Sequence, residues 1–441
     1  MIILPHVYSG ERARFFTLAT LLLINSLVQE SNEVISTSGF VSNLGVEQIL
    51  WLWVVESLLM ILVSSAYAFV VDRMKRVRLV SLLSAIFGLI YLGLYGLFAV
   101  GAPGWLSYSA LAVVSYQQWL LMPLVIWAVA NDVFSIAESK RLVPLIAVAG
   151  VIGGVVGNGL AAGAARWLGE GNPQLLLFNA GLLLTGGGVV LTGMRRVRIE
   201  ARQSPAGEKV LEMLREGLNF LREVPAFRYL TISMIVTGIC WTVIDYELLA
   251  QAAQAYPKPA DLQAFYGIFK VAVPLLLLPV QGLIAHRLMN RLGFQHIFAI
   301  LPFVALTSLT LALAFSGISG IVIGAYLFRI TMQGIDEPAR QAFRGLVPDE
   351  LRGRIIAFMD GYLLPVGFII GCGLLGMALL AVTHGGVSAA VGRALYLGFA
   401  GVSAVIALWA ANRLRLRYVE SMFSWRLRRR RRPSALKDLD L

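Results

Sequence analysis

The chain has 441 residues, of which 58% are hydrophobic and 14% charged, with a formal net charge of +12. A soluble protein of this length would hold two or three domains, but so apolar and charge-poor a composition excludes a soluble globule and indicates an integral membrane protein.

The opening MIILPHVYSGERAR has no long apolar core and no small-residue cleavage pattern, so it reads as an interfacial lead-in and not as a secretory signal peptide. After it, apolar runs long enough to cross a bilayer recur at 15 to 37, 48 to 71, 79 to 100, 106 to 130, 142 to 165 and 174 to 193. A polar stretch at 194 to 227 follows. In it EKVLEMLREGLNFLRE spaces Val210, Leu211, Leu214, Leu218 and Leu221 as one face of an amphipathic helix. Six more runs follow at 228 to 250, 262 to 285, 294 to 316, 319 to 335, 356 to 381 and 391 to 412. The expected fold is an all-α membrane protein of twelve transmembrane helices. Its domains are a six-helix half at 1 to 194, a linker at 195 to 227, a second six-helix half at 228 to 416 and a basic tail from 417.

Lysine and arginine set the orientation. DRMKRVR at 72 to 78, ESKR at 138 to 141, RRVRIEAR at 195 to 202, HRLMNR at 286 to 291 and ARQAFRGLVPDELRGR at 339 to 354 all fall on the side of the termini. The other side carries little more than Arg166, Lys258 and Arg393, so both termini are expected in the cytoplasm, with the protein in the cell's plasma or inner membrane. The charged members Asp72, Arg73, Asp132, Lys140, Arg141, Arg352 and Arg354 are candidates for cytoplasmic gating loops. The five consecutive arginines of SWRLRRRRRP, Arg428 to Arg432, directly after the last span, suit anionic lipid headgroups better than nucleic acid.

Ionisable groups inside spans are costly, about 2.5 to 3.5 kcal/mol each on insertion scales, and so mark function. They are Glu30 and Glu33 in span one, Glu56 in span two, Asp245 and Glu247 in span seven, Lys270 in span eight and Arg329 in span ten. Glu30 and Glu33 share a helical face with Gln29 nearby, whereas Asp245 and Glu247, two apart, point different ways. Gln117, Gln118 and Gln333 add polar groups for a water-filled path. These are the candidate substrate- or proton-binding residues, the competing reading being structural pairing of the acids with Lys270 and Arg329. A buried carboxylate that exchanges protons near neutrality would couple transport to a proton gradient.

The halves echo each other. DRMKRVR after span two matches HRLMNRLG after span eight, and NDVFSIAESKR after span four matches the charged tract after span ten, each of these last two followed by a glycine-rich helix. A repeat on this alignment pairs Glu30 with Asp245, and Glu56 with Lys270. In the run after span four, Gly150, Gly153, Gly154 and Gly157 have small-xxx-small spacing, which suits close helix packing, and no GxxxxGK[ST] phosphate loop is present.

WAVANDVFSIAESKRLVPLIAVAGVIG from 127, FYGIF from 265 through Gln281-Gly282, and VPDELRGRIIAFMDG from 347 give the chain a resemblance to a known family. It resembles the major facilitator superfamily along nearly its whole length, and on those three patches its ATP/ADP carrier (nucleotide transporter) branch. The resemblance implies a twelve-helix carrier working by alternating access. Carriers of that branch have basic residues in the first span to meet phosphates; LVQESNEVIS at 27 to 36 has acids and amides there. Two alternatives to a carrier of some other small polar or charged solute stay open: an ATP/ADP-type antiporter, and a scaffold or sensor with a carrier fold.

Cys240 and Cys372 lie in apolar runs and suggest no disulfide framework, and the four histidines lack ligand spacing, so neither a metal nor a cofactor is expected. No pairing of nucleophile and base points to an enzyme. The expected partners are a small-molecule solute and the bilayer, without nucleic acid; the oligomeric state stays open, a monomer being one answer.

Overall fold

The computed structural model describes residues 7–71, 74–167, 173–195, 215, 219–315, 317–344 and 358–431. Among them the regular structure is helical. The first six long helices are α1 (Arg12–Leu44), α2 (Ile49–Val71), α3 (Arg76–Ala99), α4 (Gly104–Val133), α5 (Ile136–Trp167) and α6 (Pro173–Gly193). The second six are α7 (Pro225–Ala255), α8 (Pro259–Pro279), α9 (Ile300–Ala314), α10 (Ile318–Thr331), α11 (Leu364–Thr383) and α12 (Ala389–Arg431). Ten helical stretches among the described residues are long and apolar enough to cross a membrane. α9, with 15 residues, is a shorter apolar helix. α1 falls short for a different reason: its middle carries Asn25, Gln29, Ser31 and Asn32, all buried. A helix polar on several sides and still buried is enclosed by protein instead of lipid.

Two compact units make up the chain: Met1–Gly207 with Leu249–Leu276, and Glu208–Leu248 with Leu277–Leu441. In the first, α1 is central and packs on α4, α5 and α6. Its polar middle is bonded internally. Gln118 Nε2 donates to Asn25 Oδ1 at 2.9 Å, Tyr91 donates to Gln118 Oε1 at 2.6 Å, and Asn179 Nδ2 donates to Ser31 Oγ and Asn32 Oδ1, each at 2.7 Å. These bonds between helices fix the rotation of α1 against its neighbours, although Asn32 Nδ2 and Asn179 Oδ1 stay buried without a partner among the described residues.

The α1–α5 crossing is set by glycine. A Cβ on Gly153 would sit 2.2 Å from the Leu23 carbonyl oxygen, and one on Gly157 2.2 Å from that of Leu27. Gly150 and Gly154 face the Leu22 and Glu30 side chains on the same helix. Backbones approach this closely only where no side chain intervenes.

In the second unit α7 meets α11 in the same way. A Cβ on Gly367 would lie 2.3 Å from the Ile235 oxygen, and one on Gly371 3.2 Å from the Ile239 Cα. α9 packs on α10 and α12, and α11 packs on α12. Among its described residues three π-helical turns interrupt this unit, at Val280–Ala285, Met332–Asp336 and Met359–Leu363, each with a glycine near its centre. The first two abut, Gln281 Nε2 donating to the Gln333 oxygen at 3.3 Å. Beyond the second turn the expected loop at 339 begins as helix: Glu337–Arg344 continues the rod, with Asp336 and Arg340 bridged at 2.9 Å one turn apart.

Of the amphipathic segment 208 to 223, only Arg215 and 219–223 fall among the described residues. There Phe220 and Leu221 are buried in an apolar cluster with Phe227, Phe298 and Phe343, and the Phe220 and Phe227 rings lie 4.9 Å apart.

Candidate functional site

In the first unit, Lys270 of α8 reaches two acids of α1. Its Nζ lies 2.9 Å from Glu30 Oε2 and 2.5 Å from Glu33 Oε1, and the lysine is 8% exposed. Both acids are further held: Asn158 Nδ2 donates to Glu30 Oε2 at 3.0 Å, and Gln29 Nε2 to Glu33 Oε2 at 2.8 Å. Burial of an ammonium is tolerable only with such compensation. The same stretch of α8 is seated by Gln263, which donates to the Ala161 oxygen at 2.8 Å, and by Gly267, whose Cβ would meet Ala162 at 2.8 Å.

Glu56 of α2 is 7% exposed and has no hydrogen-bond or ion-pair partner among the described residues. Gln117, next along α4, has both side-chain amide atoms buried without a partner, whereas Gln118 is spent in the internal network.

In the second unit, Asp245 Oδ2 receives Arg329 Nη2 at 2.8 Å and Trp241 Nε1 at 2.7 Å. Its Oδ1 is buried with no partner. Glu247 points elsewhere, as two-residue spacing requires: it is fully buried, bridged to Arg393 at 2.7 Å and hydrogen-bonded by the Tyr396 hydroxyl. Arg393 also donates to the Ala312 oxygen at 2.7 Å. The structure thus brings Glu30, Glu33 and Lys270 together, brings Asp245 to Arg329, and locks Glu247 in a separate pair. Gln333 sits in the second π turn.

The glycine crossings also fix how the halves correspond. Leu23 in α1 matches Ile235 in α7, and Leu27 matches Ile239. On that register Glu33, not Glu30, corresponds to Asp245, and Gln29 to Trp241, so the pairing of Glu30 with Asp245 expected from span ends is corrected.

The charged α4–α5 turn is braced within the first unit. Arg76 bridges Asp132 at 2.7 Å, Arg14 bridges Glu138 at 3.0 Å, and Arg141 bridges Glu11 at 2.6 Å. Ser135 and Glu138 form a capping box: the Ser135 N–H donates to Glu138 at 2.7 Å and the Glu138 N–H to Ser135 Oγ at 3.3 Å. Those bonds and the Arg14 guanidinium hold the Glu138 carboxyl below the usual carboxylate range. The S-x-x-E spacing was the readable signal for it. Of the other loop candidates, Asp72, Arg73, Arg352 and Arg354 lie outside the described residues, as does the Lys140 side chain.

No family model and no curated protein matches the sequence. Solved structures do match along nearly its full length. It is similar to the nucleoside transporter NupG, with 14% identity and a TM-score of 0.62 over 93% of this chain and 98% of that one. A bacterial homologue of the iron transporter ferroportin, in an inward-facing state, matches at 13% identity and TM-score 0.60 over 94% and 100%. The POT family transporter PepTSo matches at 11% and 0.62 over 95% and 99%. The fold is therefore the twelve-helix major facilitator type, and the protein a multi-pass membrane protein.

Proposed function

We propose that the protein is a secondary transporter that moves a small polar or charged solute by alternating access, driven by a proton gradient or by exchange. The observation that carries this reading is the presence of ion-paired groups inside spans, Lys270 with Glu30 and Glu33 and Arg329 with Asp245, on a fold shared with a nucleoside transporter, a bacterial homologue of the iron transporter ferroportin and a POT family peptide transporter. The two six-helix halves, 1 to 194 and 228 to 416, would rock about the solute. The distribution of lysine and arginine supports cytoplasmic termini, and the arginine-rich tail suits anionic lipid.

An ATP/ADP exchanger remains a narrower version of this reading, favoured by the three sequence patches. It is disfavoured by the commitment of Lys270 and Arg329 to carboxylates, since a polyphosphate needs cations it can claim. Uptake into liposomes across a panel of nucleotides, nucleosides, amino acids, peptides and sugars, by gradient or counterflow, tests the proposal. Some member should accumulate, and Asp245→Asn should suppress it. Normal uptake by that variant removes Asp245 from the site. Uptake of no solute in any format leaves the scaffold or sensor reading.

A further inference from the structure

Asp245 takes both of its hydrogen bonds on one oxygen. Arg329 Nη2 and Trp241 Nε1 donate to Oδ2, at 2.8 and 2.7 Å, while Oδ1 is buried with no partner among the described residues. Each oxygen of a carboxylate has room for two donors, so a buried one that accepts none marks a place for a donor.

The surroundings of that acceptor are aromatic. Trp241 lies one turn before Asp245 on the same face of α7, and its bond to Oδ2 fixes the plane of the indole. Phe368 of α11 meets it edge to face, with ring centroids 5.3 Å apart and planes at 84°. Although α7 and α11 touch backbone to backbone at Gly367, next to Phe368, both rings are only half-buried. Against such a perpendicular pair a third flat ring can stack on one member while turning its edge to the face of the other. Tyr326, three residues before Arg329 and so on the same face of α10, is half-buried as well.

Charge selects among flat ligands. Asp245 and Arg329 neutralise each other at 2.8 Å, so a cation would meet Arg329 and an anion would meet Asp245. An uncharged N–H meets neither penalty.

We infer that Trp241, Phe368 and Asp245 form a subsite for a flat, uncharged ring with an N–H on its edge, the ring stacked on the aromatic pair and the N–H donated to Asp245 Oδ1. The solute of this carrier then contains such a ring. The inference rests on the transport reading for calling the ligand a solute, but not for its binding. Trp241 sets specificity in two ways: it is a stacking surface, and it holds Asp245 with Oδ1 left over for the ligand.

The test is the thermal unfolding midpoint of the full-length protein, purified in detergent, with uracil and theophylline as probes. 1,3-Dimethyluracil and caffeine are controls of the same flat shape without an N–H, and dihydrouracil keeps the N–H groups on a ring that is not flat. Uracil or theophylline should stabilise the wild type saturably. Its controls should need about tenfold higher concentration or more, the discrimination expected from one unmade hydrogen bond to a charged acceptor. Trp241→Leu should raise the half-saturating concentration of the probe that binds by about tenfold, and Trp241→Phe, which keeps a ring, by much less. A purely structural tryptophan would lower the midpoint without ligand and leave the half-saturating concentrations unmoved. Saturable stabilisation by neither probe overturns the inference, as does equal stabilisation by probe and methylated control, or a half-saturation unchanged in Trp241→Leu. The measurement needs no transport: binding through these residues in a protein that moves no solute overturns the transport reading alone, whereas uptake of a solute without such a ring, unaltered in Trp241→Leu, overturns this inference alone.

Discussion

Replacing Gly157 by alanine puts a methyl where the Leu27 carbonyl oxygen now stands, 2.2 Å away. An ordinary contact begins at 3.4 Å, so α1 and α5 must separate by the difference, 1.2 Å, along most of their crossing, because the obstacle is backbone and has no rotamer to yield. α1 is also fixed from its other sides by the Asn25–Gln118 and Ser31–Asn179 hydrogen bonds, so retreat in one direction strains bonds in another. Overpacking of this kind costs about 1 to 3 kcal/mol. The alanine gains only about 0.5 to 1 kcal/mol in helix propensity. Equilibrium unfolding in denaturing detergent should therefore show Gly157→Ala destabilised, with Gly367→Ala behaving alike at the α7–α11 crossing, where the Ile235 oxygen is 2.3 Å from the same position. Gly159→Ala and Gly163→Ala on α5 meet nothing within 4 Å and are the controls, expected to be neutral or slightly stabilised. If Gly157→Ala unfolds at the same denaturant strength as Gly159→Ala, the crossing is not held by the glycine.

Two more outcomes follow from the ion pairs. Arg329→Met leaves Asp245 buried without its cation and should cost about 3 to 5 kcal/mol, while the double variant with Asp245→Asn should recover most of that loss; a double variant no more stable than Arg329→Met refutes the pairing. At the α4–α5 turn, Glu138 has its carboxyl held below the ordinary 4.5 by the Ser135 N–H, so its contribution is complete above that pH and is lost as pH falls through the lower value in the folded protein. The thermal midpoint of the wild type should exceed that of Glu138→Gln at neutral pH, with the gap closing below pH 4.5, and a gap independent of pH counts against the capping box.

Where the charges within spans fall was more legible in the sequence than what they touch. A charge in an apolar run stands out whatever the packing, so Glu30, Glu33, Glu56, Asp245, Lys270 and Arg329 could be named from the chain alone. Their partners depend on helix rotation and depth, which hydropathy does not carry. Lys270 divides itself between two acids one helical turn apart, and nothing in FYGIFK selects α1 as its partner. Arg393 reads as a loop cation because of its place near the start of α12, yet it reaches back to a fully buried Glu247. The π turns were hidden too, since an added residue per turn alters the facing of a helix without altering its apolarity.

The internal repeat gains its strongest support from these same contacts. Convergence on membrane-helix composition could produce glycine-rich stretches in both halves, but it has no reason to align them with the polar groups. Here 239 less 27 and 245 less 33 both give 212, and the shift that superposes the glycine crossings also superposes two hydrogen bonds one turn long: Gln29 to Glu33 in α1 and Trp241 to Asp245 in α7. In each case an acid is gripped by a donor four residues earlier and neutralised from another helix, by Lys270 of α8 for Glu33 and by Arg329 of α10 for Asp245. The shared part is the acid with its intrahelical donor; the source of the cation differs. On α2 no basic residue among 49 to 71 is at hand for Glu56, and Lys270 is spent on α1.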